Sequence, residues 1–319
     1  MKKINTTIAA LAAAAALLAA PALFAENNVS SQDATTEAAS DGYVTRDYDY
    51  QGFTKLDVGG RFNVIFTKSK NYSIRVTVPS EAEDLISVRK EGGTLKLGWN
   101  KNFTERWQKK LDGMKFTAEI SMPELTSLEM GGASTFSTDD KIELPAGKFE
   151  LELSGAARAN NLKIDANEIG IEVSGAGYCG LTGTFGKAEI EVSGAGQTDF
   201  DIDSDELEID VCGASSSDIE GKFGNVAADV SGASNATITG TADRLSADVS
   251  GASKLRAKAL EAKDVTAEVS GASNCTVYAT RSLVVEDATG ASSIRYKAPK
   301  GLDPVIRSIS RSSSVSRID

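Results

Sequence analysis

The chain has no histidine in its 319 residues. The side chain most used for proton transfer near neutral pH is therefore missing. Ser-His-Asp triads, Cys-His pairs and histidine-liganded metal sites go with it. Any catalysis would have to rest on carboxylates, lysine, arginine or tyrosine. Cysteine is scarce too: Cys179, Cys212 and Cys275 are the only three. An odd count in an exported chain leaves a free thiol or an intermolecular bond. Past the first 25 residues no apolar run is long enough to span a membrane as a helix.

What is there begins with an export signal over residues 1–25. Lys2 and Lys3 start it, an Ala/Leu-rich run follows from Ile8 to Ala20, and small residues stand at Ala20, Ala22 and Ala25. The run is short and polar residues follow it, which favours removal over a retained anchor. No cysteine lies near the cut, so no lipid is expected there. Cleavage removes two lysines and no acid, taking the formal charge from −11 to −13. An exported chain this acidic is expected to avoid nucleic acid and anionic membrane surfaces. Residues 26–42 include "ENNVSSQDATTEAASD", which lacks apolar periodicity and reads as a flexible linker.

Residues 43–127 read as irregular β-structure. "LDVGGRFNVIFT", "YSIRVTV", "GGTLKLGW" and "MKFTAEISM" all alternate apolar and polar residues. Only "SEAEDLISV" and "NFTERWQKKLDG" could hold a helical turn.

Residues 128–319 carry a repeat. A Gly-Ala pair begins at Gly132, Gly155, Gly175, Gly194, Gly213, Gly232, Gly251, Gly271 and Gly290, at intervals of 23, 20, 19, 19, 19, 19, 20 and 19. The long first interval holds "DDKIELPAGK", which reads as a loop insertion, and "ISRSSSVSRI" near Arg311 reads as a weaker tenth copy. Two residues before each Gly stands an apolar residue, from Met130 to Ala288. Four before stands Leu, Ile or Ala, from Leu128 to Ala267, with Glu286 the exception. Six after stand Leu181, Phe200, Ile219, Ile238, Ala257, Val277 and Tyr296, preceded by the polar Thr138 and Asn161. Each repeat thus holds two strands with one apolar face each, closed by a third short segment. The alternation is two, not 3.6, so helices are excluded. A fixed period near 19–20 residues predicts an all-β fold: a single-stranded, right-handed parallel β-helix of about ten coils. At ~4.8 Å per coil it would be roughly 45 Å long. Each coil should bury about five small or medium apolar side chains. Gly permits a corner with positive φ, and neighbouring serines are expected to form hydroxyl ladders.

Serine precedes the Gly at Ser154, Ser174, Ser193, Ser231, Ser250 and Ser270. A nucleophile needs one activated position beside a base. A residue repeated coil after coil is instead a structural part, so no catalytic residue is assigned. The position three before each Gly is sharper: Glu129, Glu152, Glu172, Glu191, Asp210, Asp229, Asp248, Glu268 and Asp287 are all acidic. In register they form an outward carboxylate column. Neighbours ~4.8 Å apart repel by roughly 0.8 kcal/mol in water. The position seven before the Gly supplies no cationic column, because Lys187 and Arg244 alternate with Glu168, Glu206 and Asp264. Splayed, hydrated side chains, a basic partner or divalent cations must offset the repulsion. "TDFDIDSDELEID" adds Asp199, Asp201, Asp203 and Asp205 on one strand face. These four, with Glu191, Asp210, Asp229 and Asp248, are the candidate Ca²⁺ ligands, and no other cofactor is expected. A straight strand sets alternate carboxylates about 7 Å apart, too far to chelate one ion alone. The cysteines are in coils too far apart for a disulfide, with Cys212 at a corner the best candidate for exposure.

The order of "GFTKLDVGGRFNVIFT", "YSIRVTVP", "GGTLKLGW", "ISMPELTSLEMGGAS" and serial "VSGAS" coils resembles the exported bacterial family called putative auto-transporter adhesin, head GIN domain. The resemblance spans about residues 43–316. It implies a right-handed β-helix and an adhesive role, and supplies no catalytic residues. A membrane β-barrel of about ten or more strands is not seen in the sequence after the last clear coil. The function expected is an exported, non-enzymatic binding module at the cell envelope or surface. Its partner would be a protein or glycan, and its open coil edges could pair a second copy into a homo-oligomer. Two other classes stand beside it: a carbohydrate-active enzyme using carboxylate pairs, and a periplasmic structural or envelope-stress component.

Overall fold

The structure, a computed structural model, describes residues 35–38 and 42–318. The export signal read at 1–25 and most of the linker read at 26–42 lie outside the described residues. Within that linker, Thr35–Ala38 is a strand, paired antiparallel with Tyr43–Tyr48.

The repeat folds as a parallel β-solenoid of about ten turns. Each coil is one long bent strand followed by a tight glycine turn. Gln197–Val211 is typical: it pairs parallel with Tyr178–Val192 on one side and Ser216–Val230 on the other. Its apolar inward residues are Phe200, Ile202, Leu207, Ile209 and Val211, all buried. The alternation breaks where Asp205 and Glu206 are exposed in succession. Two outward residues in a row mark a corner, because a straight strand would bury one of them. The turn itself needs glycine for two reasons. At Gly251 φ is +76°, and a Cβ there would lie 2.6 Å from the Gly232 carbonyl oxygen of the adjacent coil. Backbone thus stacks on backbone at this corner, and the Ala252 N–H donates to that same oxygen at 2.7 Å.

The N-terminal portion contains a further coil that the repeat alone does not disclose. Lys55–Val58 pairs parallel with Ser127–Met130, and Asn63–Lys68 with Thr135–Ser137. Gly60 therefore occupies the corner directly before Gly132, and its carbonyl accepts from the Ala133 N–H at 2.7 Å. Between them the chain inserts strands Ser73–Pro79, Ile86–Glu91, Thr94–Trp99 and Thr117–Met122, partly antiparallel. The two stretches expected to hold helical turns do so, as a 3-10 helix over Ser80–Leu85 and an α-helix over Glu105–Lys110. Trp99 stacks on Phe103 with centroids 3.9 Å apart, sealing this part against Phe62 and Phe116. At the other end, Val305–Ile306 and Ser314–Arg317 pair parallel with the coil before them, so the tenth copy exists.

Four expectations are corrected. Asn161 is not inward: it sits in a bulge at φ 53°, and Leu162 takes the buried place opposite Leu181. The "DDKIELPAGK" insertion is not wholly a loop: Ile142 and Leu144 are buried and paired, and a bulge between Leu144 and Lys148 absorbs extra length. Glu286 is no intruder in the core, because a one-residue slip puts Val285 inward and leaves Glu286 to pair with Arg307 at 2.8 Å. The corner serines mostly do not form a hydroxyl-to-hydroxyl ladder. Ser253 is buried and its Oγ donates to the carbonyls of Val230 at 2.7 Å and Ser250 at 2.6 Å, a pattern shared by Ser215 and Ser234. The Val230 carbonyl also accepts the Ser250 N–H at 2.9 Å, so the hydroxyl adds a second donor there and reaches the Ser250 carbonyl as well. Alanine and glycine hold the same place at Ala157, Gly177 and Gly196. Ser253→Ala should therefore fold normally and lose about 1 kcal/mol in urea unfolding.

Candidate functional site

Strand register places the repeated acids one per coil on the outer side. The pairs Glu129↔Glu152, Glu152↔Glu172, Glu172↔Glu191, Glu191↔Asp210, Asp210↔Asp229, Asp229↔Asp248, Asp248↔Glu268 and Glu268↔Asp287 are all directly opposed. Sequence reasoning missed one rung. Asp57 pairs with Glu129, which makes ten carboxylates in unbroken register. The signal was present in "LDVGG" against "LEMGG", 72 residues apart. It also missed Lys96, whose Nζ lies 2.9 Å from Asp57 Oδ2 and closes the first end of the column with a positive charge. At the last rung, Asp287 Oδ1 is buried with no hydrogen-bond partner.

The electrostatics follow from this stacking. Burial of the carboxyl against its neighbours pushes Asp229 up to about 6, with the Asp210 and Asp248 charges adding to it. Glu191 is raised by burial and by Glu172 and Asp210. Glu129 is raised by burial and by Asp57 and Glu152. Glu268 is raised by burial and by Asp248, Asp287 and Glu286. Asp210 and Asp248 are raised by burial alone. Below about pH 6 a proton on Asp229 would relieve the repulsion it feels from Asp210 and Asp248. A second outward column, seven before the Gly, behaves differently. It runs Lys148, Glu168, Lys187, Glu206, Asn225, Arg244, Asp264 in register. Signs alternate there, and partners lie near: Lys187 Nζ is 3.6 Å from Glu208, and Arg281 holds Asp264 well below the usual carboxylate range, helped by Ser282.

The other four candidates, Asp199, Asp201, Asp203 and Asp205, alternate with buried Thr198, Phe200, Ile202 and Ser204. Asp199 and Asp201 are exposed on the strand, between inward Thr198, Phe200 and Ile202. Asp203 Oδ1 accepts the Lys222 backbone N–H at 2.8 Å, fixing the bend of the next coil. Asp205 lies at the corner. Among the described residues no group of three or more carboxylates and cysteines converges to hold a metal ion. A depression lies between coils on the alternating column, lined by Glu206, Glu208, Arg244, Asp264 and Thr266 among others. These are outward side chains of parallel strands, not groups converging on one point.

The three thiols are free. Cys179 and Cys275 are buried, and burial raises both, Cys275 to about 12. Cys212 is half-buried beside the column, raised by burial and by the Asp210, Glu191 and Asp229 charges. In the folded protein maleimide should modify Cys212 slowly and leave the other two intact until unfolding, as read by mass spectrometry.

The chain matches the family model described as "Putative auto-transporter adhesin, head GIN domain" over residues 52–215 and 198–299. The chain belongs to this family. Among solved structures, a putative adhesin from Parabacteroides distasonis ATCC 8503 is similar at 17% identity, covering 88% of this chain and 98% of that one, with a TM-score of 0.49. A putative lipid binding protein from the same strain stands at 19% identity, the same 88% and 98% coverage and a TM-score of 0.42. A putative adhesin from Parabacteroides merdae ATCC 43184 stands at 16%, 88%, 98% and 0.40. No curated protein sequence matches the chain. The family match spans both the inserted N-terminal strands and the coils, so the GIN-domain unit includes the acidic column from Asp57 to Asp287.

Proposed function

We propose that this GIN-domain chain is an exported, non-enzymatic binding module that works at the cell envelope or surface through the outer faces of its coils. The observation that supports this most is the form of those faces. Outward side chains repeat coil by coil in straight columns, and among the described residues unrepeated pairs such as Asp57–Lys96 and Asp264–Arg281 are ion pairs along those columns. Catalysis needs a unique convergent group of residues. Multipoint recognition of a protein or glycan needs a repeated, accessible surface, which these columns supply. The family description adds support for adhesion. At mildly acidic pH a protonated Asp229 would donate a hydrogen bond, which favours partners that offer acceptors there.

The reading is tested by deleting the gene in its own host and scoring attachment of cells to protein-coated and glycan-coated surfaces. Attachment should fall and return when the intact chain is restored. The purified chain should leave a panel of polysaccharides uncleaved. Cleavage of any of them, abolished by changing one carboxylate pair, would support the carbohydrate-active enzyme instead.

A further inference from the structure

The solenoid ends differently from how it runs. In the coil below the end, the inward residues Val285, Ala288 and Ile294 are fully buried. In the last coil the equivalents of Val285 and Ala288 are open, while Val315, opposite Ile294, is half-buried. Ile306, opposite Val285, is 41% exposed, and Ile309, whose neighbours Ser308 and Ser310 both bond the Ala288 backbone, is 47% exposed. Val305 beside them is 58% exposed, so three of the four exposed large hydrophobics among the described residues cluster on this last coil. The strands Val305–Ile306 and Ser314–Arg317 each pair on one side only among the described residues. Their outer edges leave backbone donors and acceptors open to another strand.

Charge says what kind of strand fits. Residues 295–319 carry six Lys/Arg and two Asp, whereas residues 126–294 carry twelve Lys/Arg and twenty-eight Asp/Glu. A cationic end therefore closes an acidic body. Arg311 is exposed and has no carboxylate partner among the described residues. A second copy is a poor occupant, because residues 42–125 at the other end are also net positive, fourteen Lys/Arg against eleven Asp/Glu. End-to-end joining would set like charges against each other in either orientation.

We propose that the last coil is a docking edge for an extended acidic polypeptide segment of a partner, which adds a strand and buries Ile306 and Ile309. Apolar side chains at alternate positions of that segment would cover the open core, and a carboxylate between them would meet Arg311, since Arg307 already pairs with Glu286 and Arg317 donates to the Ala298 and Pro299 carbonyls. This surface is separate from the lateral faces, so either can fail without the other.

The test uses the full chain and a fluorescent ten-residue peptide alternating isoleucine and glutamate, with a lysine-for-glutamate counterpart as control. Anisotropy should show the acidic peptide binding at least tenfold more tightly, and more weakly as salt rises. Arg311→Glu should cut its affinity at least tenfold, as should Ile306→Asp. Lys222→Glu on a lateral face should change nothing. Arg311 is solvent-exposed, so that variant keeps the measurement valid if Ile306→Asp misfolds. Equal binding of the two peptides, indifference to Arg311→Glu, or self-association that Ile306→Asp abolishes would each overturn the proposal. Loss of cell attachment with peptide binding intact would bear on the lateral faces alone.

Discussion

Replacing Asp229 by Asn should stabilise this protein at pH 8 and do almost nothing at pH 4.5. Folding raises the Asp229 carboxyl from 3.8 to about 6. A group raised on folding binds more protons in the native state than in the unfolded one. Its contribution is therefore most favourable below the unfolded value and is lost as pH climbs through the folded value. At 1.36 kcal/mol per pH unit the full shift would be about 3 kcal/mol. The carboxyl faces water on its outer side, so screening reduces this to about 1 kcal/mol. The melting temperature should rise by about 2–4 °C at pH 8. The triple change Asp210→Asn, Asp229→Asn, Asp248→Asn should do more, though less than threefold, because neighbours share the repulsion. Asp264, Asp243 and Asp47 run the other way. Cationic partners lower them, so they stabilise at higher pH and lose that contribution only in strong acid. The unmodified chain should accordingly be most heat-stable between about pH 4.5 and 6. A melting temperature that rises steadily from pH 5 to pH 8 would contradict the column's role.

Gly251→Ala should be strongly destabilising although it adds a single heavy atom. The new Cβ would meet the Gly232 oxygen at 2.6 Å and its nitrogen at 3.0 Å, both backbone atoms that cannot swing aside. At φ +76° the L-residue also adds about 1–2 kcal/mol of strain. Together these should cost at least about 3 kcal/mol, since the coil must also part from its neighbour. The expected drop in melting temperature is on the order of 6–12 °C. Gly240→Ala should be at least as harmful, because its Cβ would fall 1.8 Å from the Gly221 oxygen at φ +114°. Either variant melting like the unmodified chain would show that the corners do not stack as described.

The same stacking explains what could be read without coordinates. Gly232, Gly251 and Gly271 stand on one another, so no other residue fits, and the period is written openly. Val230, Val249 and Val269 alternate with Asp229, Asp248 and Glu268, so the inward column and the acidic column are equally legible. Asp57 and Lys96 were hidden because the next rung, Glu129, follows 72 residues after Asp57, beyond an inserted and only partly antiparallel group of strands. Asn161 and Glu286 were misplaced because a bulge shifts alternation by one without any residue that announces it. The raised carboxyls were not legible at all. They arise from burial and neighbours one coil away, and depend on geometry that only the assembled stack provides. The Ser253 hydroxyl likewise chose carbonyls that sequence cannot place.

The most direct test of the binding-module reading is labelling of intact cells with a membrane-impermeant amine-reactive biotin. Lys222, Lys254 and Lys258 lie exposed on the coils and would report. The reading predicts that these lysines are biotinylated on whole cells as fully as on purified protein. Labelling that appears only after the envelope is broken open would contradict display at the surface and leave a periplasmic role in its place.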